Sequence, residues 1–238
     1  MFVYLQTEIE KIMKKTVKIL MPILAAIALM VSCNKPDEGT SPDYVDLGLP
    51  SGTLWTTSNL GAESSVDYGT FLAWGETTAT SPYNWETYRY CNGDADQMTK
   101  YCNDSAYGFN GFTDNLTVLE SADDASTANY GADWHTPTQS EWQELLDHTE
   151  NIWTEQNGVN GRLFTAPNGQ SLFLPAAGGY WDVQHIGDSI RGYYWVCELY
   201  TEMPCGAWAL YFDADTCFVD YADRRAYGLS TRAVRSRK

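Results

Sequence analysis

From Tyr44 onwards, apolar positions fall in short runs broken by Gly, Pro, Asn, Asp and Ser, the punctuation of a chain built mainly of strands and loops. Residues 44–47 and 53–57 read as two strands joined by a turn at 49–52, and 71–74 is a further apolar stretch. Residues 75–120 are aromatic but irregular, so long loops are expected there, stapled by Trp85, Tyr88, Tyr101 and Phe109. Two segments carry helix signals. Ser121 precedes the helix expected over 122–130, and Gly131 closes it. Thr138 and Glu141 have capping-box spacing, and Trp142, Leu145 and Leu146 then fall on one helical face. Pro167-Asn168-Gly169 separates 161–166 from 171–174, a strong hairpin signal. Residues 193–196, 208–212, 217–221 and 230–234 are the remaining strand candidates. In 208–212, Trp208, Leu210 and Phe212 share one face, while Ala209, Tyr211 and Asp213 share the other.

Ahead of this pattern, 19–31 is an uninterrupted apolar run, preceded by Lys14, Lys15 and Lys18 and followed by Ser32 and Cys33. A cationic flank, an apolar run and a small residue are the parts of a secretory signal. The run is shorter than the ~20 residues a spanning helix needs. Its M-V-S-C ending resembles a bacterial lipobox, which implies a signal peptide over 1–32 and lipidation at Cys33. Met13, followed by Lys14 and Lys15, is the expected start of translation. Residues 33–43, rich in Pro, Gly and Ser, read as the lipidated cysteine and a flexible tether. The domain proper is expected over 44–238.

The formal net charge is −16, and removing 1–32 takes away four lysines and two glutamates, leaving −18. Such a surface repels nucleic acid, and it repels anionic headgroups too, so only the lipid would hold the chain to a membrane. Five cysteines follow Cys33, an odd number, so at least one cannot pair within the chain. Cys91 and Cys102 flank a short loop and are the candidate disulfide. No C-x-x-C is present, and His135, His148 and His185 lack metal-ligand spacing. No metal and no cofactor is expected.

The segments YVDLGLPSGTLW (44–55), FLAWGE (71–76), DDASTANYGADWHTPTQSEWQELL (123–146), NGQSLFLPAAG (168–178) and GLSTRAVR (228–235) stand in order along the chain. Together they resemble the major paralogous domain family first named from Fibrobacter and abundant in Bacteroidetes lipoproteins. The middle block is also similar to the W-R-x-P-T-E-x-E-W segment of the formylglycine-generating-enzyme superfamily, with His135 where Arg is common. The resemblance implies a C-type-lectin-like fold: α+β, two helices, a small twisted antiparallel sheet and long loops. It also implies an outer-membrane lipoprotein exposed at the cell surface. Trp55, Trp74, Trp134, Trp142, Leu145 and Phe173 are then scaffold.

Three functions compete. An enzyme of the formylglycine-generating type needs a reactive cysteine pair. Cys197 and Cys205 stand in the right region, but their neighbours Glu198 and Glu202 disfavour a thiolate. A calcium-dependent lectin needs triplets that Ala166-Pro167-Asn168 and Trp181-Asp182 do not complete. The preferred reading is a non-enzymatic binding protein for a protein or glycan ligand. Its face would carry Tyr194, Tyr200, Tyr211, Asp213, Asp215, Phe218, Asp220, Tyr221, Asp223 and Tyr227, because Tyr gives rigid contact area and Asp gives acceptors. A structural or tip subunit of a pilus or glycan-uptake complex is the alternative. A sharper form holds that a retroelement diversifies this window. Cys205, Asp213, Asp215, Cys217, Phe218, Asp220, Tyr221, Ala222, Asp223, Ala226 and Tyr227 are all reachable from asparagine codons by adenine randomisation, whereas Glu198 and Glu202 are not.

Overall fold

Among the described residues, two α-helices form where local chemistry starts them. Helix α1 (Ala125–Tyr130) begins where Asp124 accepts the backbone N–H groups of Ser126 and Thr127. The sequence pattern puts this cap at Ser121. The structure moves it because the Asp124 carboxylate is itself fixed by the N–H and hydroxyl of Thr136. Helix α2 (Gln139–His148) starts as expected on the reciprocal capping box of Thr138 and Glu141. Trp142 and Leu145 are fully buried, and Leu146 packs at the margin of the same core.

The computed structural model describes residues 41–237. The expected signal 1–32, Cys33 and the tether up to Thr40 lie outside the described residues. Among the described residues no helix is long and apolar enough to cross a membrane.

The fold is α+β and mostly strand. Where one small sheet was expected, four antiparallel sheets stand among the described residues. In the first, β2 (Thr53–Thr56) lies between β1 (Tyr44–Val45) and β11 (Val234–Ser236), so the two ends of the domain flank one strand. The strand expected over 230–234 is thus displaced; Ser230, Thr231 and Arg232 are buried polar residues and only Val234 joins the sheet. The second sheet runs β3 (Glu150–Gln156), β4 (Val159–Thr165), β5 (Ser171–Pro175). Its β4–β5 hairpin is the expected one. The β3–β4 hairpin turns on Asn157 and Gly158, with φ of 49° and 83°, the left-handed pair that a two-residue turn requires. A two-stranded ribbon follows, β6 (Gly179–Trp181) and β7 (Gln184–Ile186). The last sheet runs β8 (Gly192–Leu199), β9 (Gly206–Phe212), β10 (Cys217–Arg224).

The β8–β9–β10 sheet has two apolar sides. On one, Tyr194, Val196, Leu210, Phe212 and Val219 meet Trp142 and Leu145 of α2 in the main core. On the other, Tyr193, Trp195, Ala207 and Ala209 meet Trp74 and Tyr101. The Trp55, Trp74, Trp134, Trp142, Leu145 and Phe173 side chains are all buried, as a scaffold role requires.

Between β2 and α1 the only regular element is a 3-10 turn, Phe109–Gly111. Tyr88 and Tyr101 are buried there and Trp85 half-buried, but Phe109 is exposed; Met98 takes the interior place instead. Arg225, fully buried, holds this segment to the end of β10. Its guanidinium donates to the Tyr88 hydroxyl and to the carbonyls of Lys100, Tyr101 and Pro204, and lies 5.0 Å from the Trp74 ring centre. A charge without a carboxylate hydrogen-bond partner is stabilised here by carbonyl dipoles and ring faces.

Candidate ligand-binding face

On the outer side of β8–β9–β10, Tyr193, Tyr211 and Phe218 lie in register across the three strands. Strict alternation would send Tyr221, three residues beyond Phe218, to the opposite side. A break in register between Phe218 and Tyr221 absorbs the extra residue and returns Tyr221 to the same side. Its ring centre lies 5.4 Å from Tyr211 and 5.7 Å from Tyr193, and Tyr211 lies 5.2 Å from Phe218. Trp181 from β6 extends the group, 5.5 Å from Tyr193 and 5.4 Å from Tyr227. Ala207 and Ala209 on β9 leave the room these rings fill. Tyr193 is buried beneath the group; Trp181, Tyr211, Phe218, Tyr221 and Tyr227 are half-buried, so each keeps part of its ring in solvent.

The hydroxyls are tied to carboxylates two residues onward. Tyr211 donates to Asp213 at 2.7 Å, and Tyr221 to Asp223 at 3.1 Å. Tyr200 does the same with Glu202 at 2.8 Å. Asp213 also takes the N–H groups of Asp215 and Thr216. The Tyr211 hydroxyl, ahead of those N–H groups, holds the Asp213 carboxyl down at about 2, so it is ionised. Burial pushes the Tyr211 phenol up to about 12 and raises the Asp223 carboxyl. Cations stand at the margin. Arg191 stands near Tyr193 and Tyr211, whose phenols raise its pKa, and the Arg224 guanidinium lies over the Tyr227 ring and donates to its hydroxyl.

Of the residues expected on a binding face, Tyr211, Asp213, Phe218, Tyr221, Asp223 and Tyr227 come together. Tyr194 does not and is corrected to a core residue. It points to the other side of β8, fully buried, with its hydroxyl donating to the Pro175 carbonyl. Tyr200 stands apart, packed edge-on against Trp208 with centres 4.7 Å apart. Asp215 is exposed in the β9–β10 turn. Asp220, exposed at the register break, lines a groove of about 700 Å³ against Gln139 and Gln143 of α2, with Phe218 also on its wall. Trp181, Tyr193, Arg191 and Arg224 were not anticipated. Strand parity was the missing information: adjacent Tyr193 and Tyr194 face opposite ways, and only the register says which faces out.

All five cysteines among the described residues are free thiols, Cys91 and Cys102 included; these two donate to the Trp85 and Asp104 carbonyls respectively. Burial raises every one of them, Cys217 to about 12. Cys205 and Ala226 sit together in a buried cluster with Met98 and Cys102, so these two positions of the window expected to be diversified are buried. Among the described residues no group of three His, Cys, Asp or Glu side chains could hold a metal ion. Compared with family models, curated proteins and solved structures, the chain finds no match.

Proposed function

We propose that this chain is a non-enzymatic lipoprotein of the outer membrane, exposed at the cell surface, whose C-type-lectin-like domain binds a protein or glycan ligand through the outer side of β8–β9–β10. The observation that carries this reading is the half-exposed group of Trp181, Tyr211, Phe218, Tyr221 and Tyr227 with hydroxyls fixed by Asp213 and Asp223. Rings held rigid before binding lose little entropy on contact, and fixed carboxylates offer acceptors at set positions. Two helices, antiparallel pairing and a long irregular segment support the C-type-lectin-like likeness, although four sheets stand among the described residues where it implies one. The non-enzymatic part is supported by the thiols, because buried Cys197 and Cys205 resist forming the thiolate that formylglycine-type chemistry needs.

The test is a protein and glycan array probed with the full chain beside Tyr211→Ala and Tyr227→Ala. Hits should weaken by about tenfold or more in each folded variant, as for central aromatic contacts. Hits fully retained by both folded variants would remove the face from the account.

A subunit of a surface assembly is the second reading. It is favoured by Val183, Ile186 and Ile190, large apolar side chains 66%, 40% and 61% exposed on and just after the β6–β7 ribbon.

A further inference from the structure

Beside the aromatic face lies a recess of about 540 Å³, between the loop carrying Trp85 and Asp94 and the start of β9 with the end of β10. The rings of Trp85 and Tyr200 and the thioether of Met203 give it apolar walls, and Asp94, Asp223 and Arg224 give it polar ones. Recess and face adjoin at two residues, Asp223 and Arg224. The Asp223 carboxylate that lines the recess receives the Tyr221 hydroxyl of the face, and the Arg224 side chain that lines it lies over Tyr227.

The charges on these walls restrict what can enter. An anion meets Asp94 and Asp223 within a chain of net charge −16. Arg224 offsets one of these two carboxylates, so a cation finds at most one unbalanced charge on these walls and must approach the guanidinium to reach it. A neutral polyhydroxylated ring conflicts with neither sign of charge. Its C–H faces pack on indole and phenol rings, its hydroxyls donate to the carboxylates, and its oxygens accept from the guanidinium. A single ring cannot cover both the recess and the aromatic group, so the ligand that uses the whole surface is a chain of rings.

We propose that the aromatic face and this recess form one extended site for a neutral oligosaccharide, in which Trp85 and Tyr200 pack against one sugar ring while Asp94, Asp223 and Arg224 hydrogen-bond its hydroxyls. This rests on the binding reading above and names its ligand class.

Met203 supplies a readout that needs no variant. Among the described residues Met98 is fully buried and Met203 is 44% exposed on the wall of the recess. The full chain, purified in mild detergent, is titrated with neutral gluco-, manno-, xylo- and galacto-oligosaccharides of increasing length. Oligogalacturonate serves as the anionic control and oligolysine as the cationic one. A neutral series should bind, more tightly with length, and at saturation should slow peroxide oxidation of Met203, read by mass spectrometry. Trp85→Ala should weaken it by about tenfold. Asp223→Asn, which keeps the shape, should do the same with unchanged thermal melting. If a neutral oligosaccharide binds, is lost in Tyr227→Ala, but leaves Met203 oxidation and the Asp223→Asn affinity unchanged, the recess is excluded while the face stands. Binding of only oligolysine or only oligogalacturonate overturns the neutral-sugar assignment and leaves the face. If no probe binds, the inference fails, and the protein array decides the face separately.

Discussion

His135 Nε2 lies 3.0 Å from both carboxylate oxygens of Glu141. Burial works against the charged imidazole, but the hydrogen bond and charge of Glu141 prevail, and the His135 pKa is raised. Burial likewise opposes the Glu141 carboxylate, yet its bonds to His135 and Thr138 lower it. The raised histidine contributes stability that is full below its unfolded value of about 6.5 and is lost as pH rises through the folded value. The lowered glutamate contributes above about 4.3 and loses its share as pH falls through its own folded value. The pair therefore stabilises most between the two. His135→Gln should cost more stability near about pH 6 than near about pH 9, and His135→Arg should make the native difference independent of pH over that interval. Urea melts across pH check this; a His135→Gln deficit that does not shrink as pH rises would exclude the ion pair as its source. The pair was half legible. The capping box gave Glu141 its place, but nothing in the spacing showed that His135 would share the same carboxylate. The parity of Tyr193 and Tyr194 was hidden in the same way, because two adjacent tyrosines in a strand carry no mark of which side is covered.

At the level of elements, the pairing of β8 with β9 depends on a glycine. Gly192 stands opposite Phe212, and a Cβ there would fall 2.1 Å from the Phe212 ring. Phe212 is fully buried against Tyr194 and Trp153, so it cannot withdraw. Gly192→Ala should cost about 1–3 kcal/mol by overpacking, and Phe212→Leu in the same chain should recover part of it, a coupling that a double-mutant cycle reads directly. Strictly additive costs would show that the contact is not what limits the position. Capping residues and turn residues announced α2 and the β4–β5 hairpin because those signals are local. The β3–β4 hairpin had a local signal as well, in Asn157-Gly158, but β3 shows no clean alternation; Ile152 is exposed while Trp153 packs on the core. The register break in β10 has no local signal, and it is what turns a pattern of alternating residues into a patch of adjoining rings.

Across the whole molecule, the irregular segment before α1 depends on the chain's end for its anchorage. Arg225→Met would leave three carbonyls and the Tyr88 hydroxyl without their buried donor, and should cost at least about 3 kcal/mol. Proteolysis should then cut within 85–120 before the rest unfolds. A loss below about 0.5 kcal/mol with no new cleavage would mean the segment is held by its aromatic packing alone. The flanking of β2 by β1 and β11 has a different consequence. Tyr44 pairs with Thr56 and Ser236 with Thr53, so the first and last strands are separated by the width of one strand, on the order of 10 Å. The domain is therefore close to a closed ring of chain, in which the order of synthesis matters less than the circuit. A few linking residues could join its ends and new ones be opened at an exposed turn such as 92–94. The same circuit could be spliced whole into a surface loop of another protein without pulling that loop apart.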